Sequence, residues 1–343
     1  MKKNVAVIGV GAVGIEILRI LKQRKFPVGD LRIFARSSRT ITVDRQDYQV
    51  EAIEGADFSG IDIALFAGTE GEKGASVLYA QKFIAAGAVV IDNGNDFRLE
   101  KDVPLVVPEV NKQKALENKG IIANPNCTTI QMVVALGGIY KKFGLSQIIL
   151  TSLQAVSGAG RGAIQTLWDE TKEIAANNQS VDSCFQVDKR IKNLGDSFPA
   201  QIAFNAIPQI GGFSDDGYTS EEWKVVHETR KIYADDSIKI SATCVRVPVF
   251  NSHSETVYFT TKNKASLDQI KDVLKVSEGV EFLDPARKLP LALEADGKDP
   301  VYVGRLRPDP YQENSFWLWC VSDNLRKGAA LNAVQIAELL LKK

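Results

Sequence analysis

Hydrophobic residues in the first third of the chain fall into short, nearly unbroken apolar runs. Val5-Ala6-Val7-Ile8 reads as a buried strand, and Ile15-Glu16-Ile17-Leu18-Arg19-Ile20-Leu21 spaces its apolar positions for one helix face. Similar runs over 31–35, 61–66, 89–92 and 120–123 predict further strands, and a helical segment over 75–86 separates two of them. Strands alternating with helices predict a parallel, doubly wound sheet.

The pattern changes after residue 126. Asn124-Pro125-Asn126-Cys127-Thr128-Thr129 opens the apolar run 130–136, which reads as a buried helix. A long strand is predicted at 147–155, helices near 163–176 and 220–233, and strands over 237–249 and 254–260. This order suggests an α+β second domain. The segment 324–343 is read as a helix, apolar at Leu331, Val334, Ile336, Leu339 and Leu340, that packs back on the first domain. The expected fold is α/β: an N-terminal Rossmann-type doubly wound sheet (1–126 plus 324–343) and a C-terminal α+β domain (127–323).

Composition narrows the partners. At 343 residues the chain is long enough for two domains. Its 42 basic and 42 acidic residues balance, which leaves no electrostatic footprint for nucleic acid or an anionic membrane. Small molecules or a second copy of the chain are the expected partners. The start, Met1-Lys2-Lys3-Asn4, runs straight into a strand and lacks a signal-peptide pattern, and no apolar stretch is long enough to span a bilayer. Cys127, Cys184, Cys244 and Cys320 are scattered, which argues against a metal site or disulfide framework and for a reducing cytoplasm.

Gly9-x-Gly11-x-x-Gly14, with Ala12 and Val13 inside it, lies between a predicted strand and a predicted helix. In that context it is a dinucleotide fingerprint; the alternative is a tight turn without a ligand. The second strand ends in Arg36-Ser37-Ser38-Arg39, where an acidic residue would grip a ribose 2′-hydroxyl. Two guanidiniums suit a 2′-phosphate instead, so NADP is favoured over NAD; the alternative is a solvated basic loop.

Asn126 suits an N-cap, which puts Cys127 in the first turn of its helix. There the dipole and open N–H groups favour a thiolate, the form needed for covalent acyl chemistry. The bland alternative is a small buried Cys. Histidine is the usual base for such a nucleophile, and the chain has only His227 and His253. His227 lies in a helical stretch; His253, in a loop between strands, is favoured. Arg98 and Arg246 are candidate anion clamps, or else partners in internal salt bridges.

Together these residues resemble the aspartate-semialdehyde dehydrogenase family over essentially the whole chain. The similarity rests on 124–129, Val103-Pro104-Leu105-Val106-Val107-Pro108-Glu109-Val110-Asn111, Gln154-Ala155-Val156-Ser157-Gly158-Ala159-Gly160, residues 246–253 and residues 323–332. It implies Cys127 as nucleophile, His253 as acid/base, and Arg246, Gln154 and Glu221 as ligands of an amino-acid substrate. Arg98 and Lys224 would bind phosphate, Asn126 would line the site, and Ser157, Gly158 and Asn324 would lie against the nicotinamide of NADP. The implied reaction interconverts L-aspartyl 4-phosphate and L-aspartate 4-semialdehyde, in a homodimer. Gly94 and Asp96, before Arg98, and the loop 66–73 depart from the family's usual residues. Rival readings are a related reductase, such as one acting on N-acetylglutamyl phosphate or a thioester, and a non-catalytic cofactor-binding relative.

Overall fold

The structure is a computed structural model describing residues 1–68, 71, 73–177, 195, 197–283 and 288–342. The first sheet is built from β1 (Lys3–Ile8), β2 (Val28–Ala35), β3 (Arg39–Val43), β4 (Gln46–Ala52), β5 (Ile63–Phe66), β6 (Val89–Asp92) and β7 (Ile121–Ala123). Their order is β3-β4-β2-β1-β5-β6-β7, parallel except where β3 pairs antiparallel with β4. Helices α1 (Ala12–Gln23), α2 (Ala75–Ala85) and the short α3 (Pro108–Asn111) belong to this half of the chain.

The unbroken apolar runs follow from burial of both sheet faces. Val5, Val7, Ile33, Leu65 and Ile91 pack with Ile17, Ile20 and Leu21 of α1 on one face. Ala6, Ile8, Phe34, Phe66 and Val90 pack with Ala80 and Phe83 of α2 on the other. The β3–β4 hairpin escaped the sequence reading. Its turn residues Asp44 and Arg45 both take positive φ without a glycine to announce it.

The second half begins with α4 (Cys127–Phe143), β8 (Leu145–Gln154), α5 (Arg161–Asn177), α6 (Ser220–Tyr233), β9 (Lys239–Arg246) and β10 (His253–Thr261). It continues with α7 (Leu267–Val276), β11 (Val280–Phe282), α8 (Ala292–Ala295), β12 (Val301–Pro308) and β13 (Ser315–Ser322). The second sheet runs β11-β12-β13-β10-β8-β9. Strands β8, β10 and β13 bury Ile148, Leu150, Val257, Phe259 and Leu318 against the α4 and α7 side. Their alternate residues Ile149, Tyr258, Trp317 and Trp319 remain partly exposed on the outer face.

The C-terminal segment departs from the predicted single helix. Arg326–Ala330 is a π-turn, and α9 (Leu331–Leu339) follows it. Leu331, Val334, Ile336 and Ala337 pack with the α1 face of the first sheet, as the sequence reading expected. Among the described residues no helix is long and apolar enough to cross a membrane.

Candidate active site

The turn after β1 forms the first cavity. Gly9 has φ +98°, and a Cβ there would come within 2.6 Å of the Ala67 carbonyl oxygen. A Cβ on Gly14 would run into the Gly9 carbonyl oxygen, so α1 can seat on the turn only with glycine there. Gly11 caps α1 without a side-chain hydrogen bond, so the first-turn N–H groups are not taken by a capping side chain. A cavity of about 900 Å³ lies over this turn, lined by Gly9, Gly11, Arg36, Ser37, Arg39 and Tyr79 among others. A glycine cradle, an uncapped helix N-terminus and basic residues beyond β2 fit the pyrophosphate and phosphate of a dinucleotide. Ser38 is turned away from the cavity, its Oγ accepting from the Ala52 N–H at 2.9 Å. Of the loop 66–73, Thr69, Glu70 and Glu72 lie outside the described residues.

A second cavity of about 380 Å³ adjoins the first: Ala12, Val13, Ser157, Gly158 and Asn324 line it, and Ala67 lines both. Cys127 faces it from the start of α4, where Asn126 Oδ1 accepts from Thr128 N–H (3.0 Å) and Thr129 N–H (3.3 Å). Strand register assembles the opposite wall. Parallel pairing sets Gln154 beside Arg246 at the ends of β8 and β9, and β10 starts at His253. The imidazole Nε2 lies 3.3 Å from Cys127 Sγ. Its Nδ1 accepts from Ala155 N–H at 3.1 Å, which sets the neutral ring's proton on Nε2, facing the sulfur.

Helix α6 enters the same cavity by its N-terminal turns, fixed by a Thr219–Glu222 capping box. Glu221 accepts from Asn126 Nδ2 (2.9 Å), Gln154 Nε2 (3.3 Å) and Lys224 Nζ (3.3 Å). Burial pushes the Glu221 carboxyl up, but Lys224 and these amide donors outweigh it and hold the group below its usual range. Arg98 is fully engaged with protein: Nε donates to Asn124 O, Nη2 to Asn93 O and Nη1 to Glu228 Oε1. Arg246 is different. It is buried, its Nη1 donates to Ala155 O at 2.7 Å, and among the described residues it forms no ion pair; Glu221 acts on it only through space. Burial accordingly lowers its pKa. A buried guanidinium lining a cavity without a carboxylate partner is a receptor for an anion.

The expected thiolate needs correction. Burial pushes the Cys127 thiol up to about 12, and Glu221 adds to this; Arg246, Arg98 and the Thr128 N–H pull the other way without prevailing. Burial, then Arg246, hold His253 well below the usual imidazole range. The ligand-free pair is therefore a neutral thiol beside a neutral imidazole.

Other sequence readings resolve simply. His227 is exposed and stacks on Trp223. Asp96 spends Oδ1 on the Gly71 N–H at 3.0 Å. Cys244 and Cys320 are free and buried, and Cys184 lies outside the described residues. The sequence reading missed several buried supports. Gly328, in the π-turn, packs so closely on Cys127 that a Cβ would lie 2.8 Å from Cys127 Cβ. The neighbouring Lys327 is anchored by Glu109, Asn332 and Gln335. Asn124 donates to Asn93 Oδ1, and Glu228 accepts from the N–H of Asn126, the residue before Cys127. The spacing of Glu221, Lys224 and Glu228 on one helix face was the available signal for the last of these.

A cysteine–histidine pair at the mouth of a dinucleotide cleft, with a buried guanidinium facing the same cavity, fits a semialdehyde-dehydrogenase type of enzyme. Comparison with known families agrees: residues 4–118 match the semialdehyde dehydrogenase NAD binding domain, and residues 136–327 match the semialdehyde dehydrogenase dimerisation domain. The chain is 45% identical to aspartate-semialdehyde dehydrogenase of Aquifex aeolicus over all of this chain and 99% of that one. It is 44% identical to the Bacillus subtilis enzyme, over 99% and 97% of the two chains. A crystal structure of aspartate semialdehyde dehydrogenase II from Vibrio cholerae, also solved in complex with ASA, superposes with a TM-score of 0.92 at 43% identity, covering 100% of this chain and 99% of that one. The chain belongs to the aspartate-semialdehyde dehydrogenase family.

Proposed function

We propose that this enzyme reduces L-aspartyl 4-phosphate to L-aspartate 4-semialdehyde, reversibly, with NADP as its cofactor and phosphate as the leaving group. The observation that carries the substrate assignment is Arg246, a buried guanidinium facing the cavity that forms no ion pair among the described residues. It suits the α-carboxylate, while Glu221 and Gln154 suit the α-ammonium and its orientation. Arg98 and Lys224 are the phosphate ligands. These features favour a free amino acid over the N-acetylated substrate of a related reductase, and the 3.3 Å sulfur–imidazole contact argues against a non-catalytic relative.

Catalysis starts from the neutral pair. The Cys127 sulfur bonds to the acyl carbon as the carbon–oxygen bond to phosphate breaks, and the thiol proton ends on the released phosphate. Charge on the sulfur is met by the Nε2–H of His253, by Arg246 and by the Thr128 N–H, and charge on the acyl oxygen by the Cys127 N–H, which the Asn126 cap does not take. NADPH, when bound against Gly9, Gly11, Gly14, Arg36 and Arg39, supplies the hydride that reduces the thioester. As the thiohemiacetal opens to the aldehyde, the departing sulfur takes its proton from water while the Nε2–H of His253 hydrogen-bonds to it. The Ala155 N–H sets the ring for this donor half of its acid/base role. Acting as a base requires the ring proton to move to Nδ1, against that N–H.

The half-exposed outer face of the second sheet, together with the matched dimerisation domain, supports a homodimer. Residues 1–126 with 324–343 form the nucleotide unit and 127–323 the catalytic unit, in a cytoplasmic enzyme. The test is phosphate-dependent reduction of NADP by aspartate semialdehyde, absent in Cys127→Ser. Equal turnover with N-acetylglutamate semialdehyde, or no turnover at all, overturns the reading.

A further inference from the structure

Glu228 is buried, with both carboxylate oxygens committed beside the site. Oε1 accepts from Arg98 Nη1 at 3.1 Å, and Oε2 accepts from the backbone N–H of Asn126 at 2.6 Å. One carboxylate thus ties the proposed phosphate arginine to the cap residue of the nucleophile's helix, immediately before Cys127. It stands one turn past Lys224 and two past Glu221 on α6, so one helix face carries all three groups. Arg98 is also tethered to the main-chain carbonyls of Asn93 and Asn124, and Glu228 adds a charged partner to these.

We propose that Glu228 is a positioning residue that holds Arg98 and the Asn126–Cys127 peptide in mutual register, so that the phosphate seat and the attacking sulfur are set together. This rests on the reading of Arg98 as a phosphate ligand. A carboxylate accepts at both oxygens, and an amide cannot. In Glu228→Gln the NH₂ group must face either Arg98 or the Asn126 N–H, donor against donor, inside a dry site. Burial pushes the Glu228 carboxyl up against the pull of Arg98, so the ion pair is the more dependent on that close contact.

The test is steady-state kinetics in the phosphorylating direction, with inorganic phosphate varied at saturating aspartate semialdehyde and then the reverse. Thermal shift by inorganic phosphate alone gives a readout independent of turnover. Glu228→Gln should raise KM for phosphate roughly tenfold or more, lower kcat, and abolish the phosphate thermal shift, while KM for aspartate semialdehyde changes less than about twofold. Glu228→Asp, which keeps the charge but is one methylene short of bridging both partners, should fall between; it also serves if the Gln variant does not fold. Arg98→Lys is the control. If Arg98→Lys leaves KM for phosphate unchanged, the phosphate reading fails and takes this inference with it. If Arg98→Lys raises that KM and neither Glu228 variant does, or if both substrates' KM values rise alike, the positioning role alone is overturned.

Discussion

Arg246 offers the sharpest perturbation of the proposed chemistry. Replacing it with Met keeps most of the side-chain volume and removes the guanidinium, which donates to Ala155 O. In the complex the substrate carboxylate would then sit in the cavity without its cation. Removing one partner of a buried ion pair costs about 3–5 kcal/mol, and at about 1.4 kcal/mol per tenfold this is roughly 140- to 3,700-fold in kcat/KM. The same change relieves the free protein of an uncompensated buried charge, so its melting temperature should match or exceed that of the wild type. The assay is NADP reduction with phosphate, run with aspartate semialdehyde and with a short aldehyde lacking the α-carboxylate. The loss should be confined to the first substrate. Equal losses on both aldehydes, or a loss under about fivefold on aspartate semialdehyde, would refute the carboxylate assignment.

Further expectations follow from the same geometry. Gly328→Ala places a methyl group 2.8 Å from Cys127 Cβ, and the resulting displacement of the sulfur should lower kcat by about tenfold to a hundredfold with little change in KM for NADP; unchanged kcat would show that the π-turn yields instead. Because His253 titrates well below 6.5 in the fold, the unfolded chain binds a proton that the native state refuses as pH falls through that value. The stability its neutral ring contributes is therefore complete above about 6.5 and lost below it, so wild-type melting temperature should drop between pH 7.5 and 5.5 more steeply than that of His253→Gln, and parallel curves would contradict this. Replacing Arg36 and Arg39 together by Ala should raise KM for NADP by about tenfold while leaving KM for NAD nearly unchanged, and an equal effect on both cofactors would dismiss the 2′-phosphate reading.

Much of the nucleotide half was legible because it is local. A β-branched run, three glycines and a helix are contiguous from Val5 to Leu21, and Gly9 and Gly14 each have a steric reason that sequence context exposes. The cap at Asn126 was legible for the same reason. The hairpin around Asp44 and Arg45 was not, because its strands mix exposed and half-buried residues and its turn lacks glycine. The Ser266–Gln269 capping box did announce α7, and the apolar stretch Ser315–Ser322 announced β13. Both were passed over between the last recognised strand and the terminal helix. The charge state of Cys127 was misread because helix position is a local cue, whereas the burial and the Glu221 carboxylate that oppose it come from distant segments. For Glu228 the helix spacing gave a face but not a role: its partners, Arg98 and Asn126, lie 130 and 102 residues away.

The central claim is that the substrate is carried on the sulfur of Cys127. Incubation with aspartate semialdehyde and oxidised NADP, with phosphate withheld, should leave an aspartyl thioester that intact-mass and peptide mass spectrometry assign to Cys127 and that added phosphate discharges. An unmodified Cys127 under those conditions, or an adduct on Cys244 or Cys320 instead, would contradict the account.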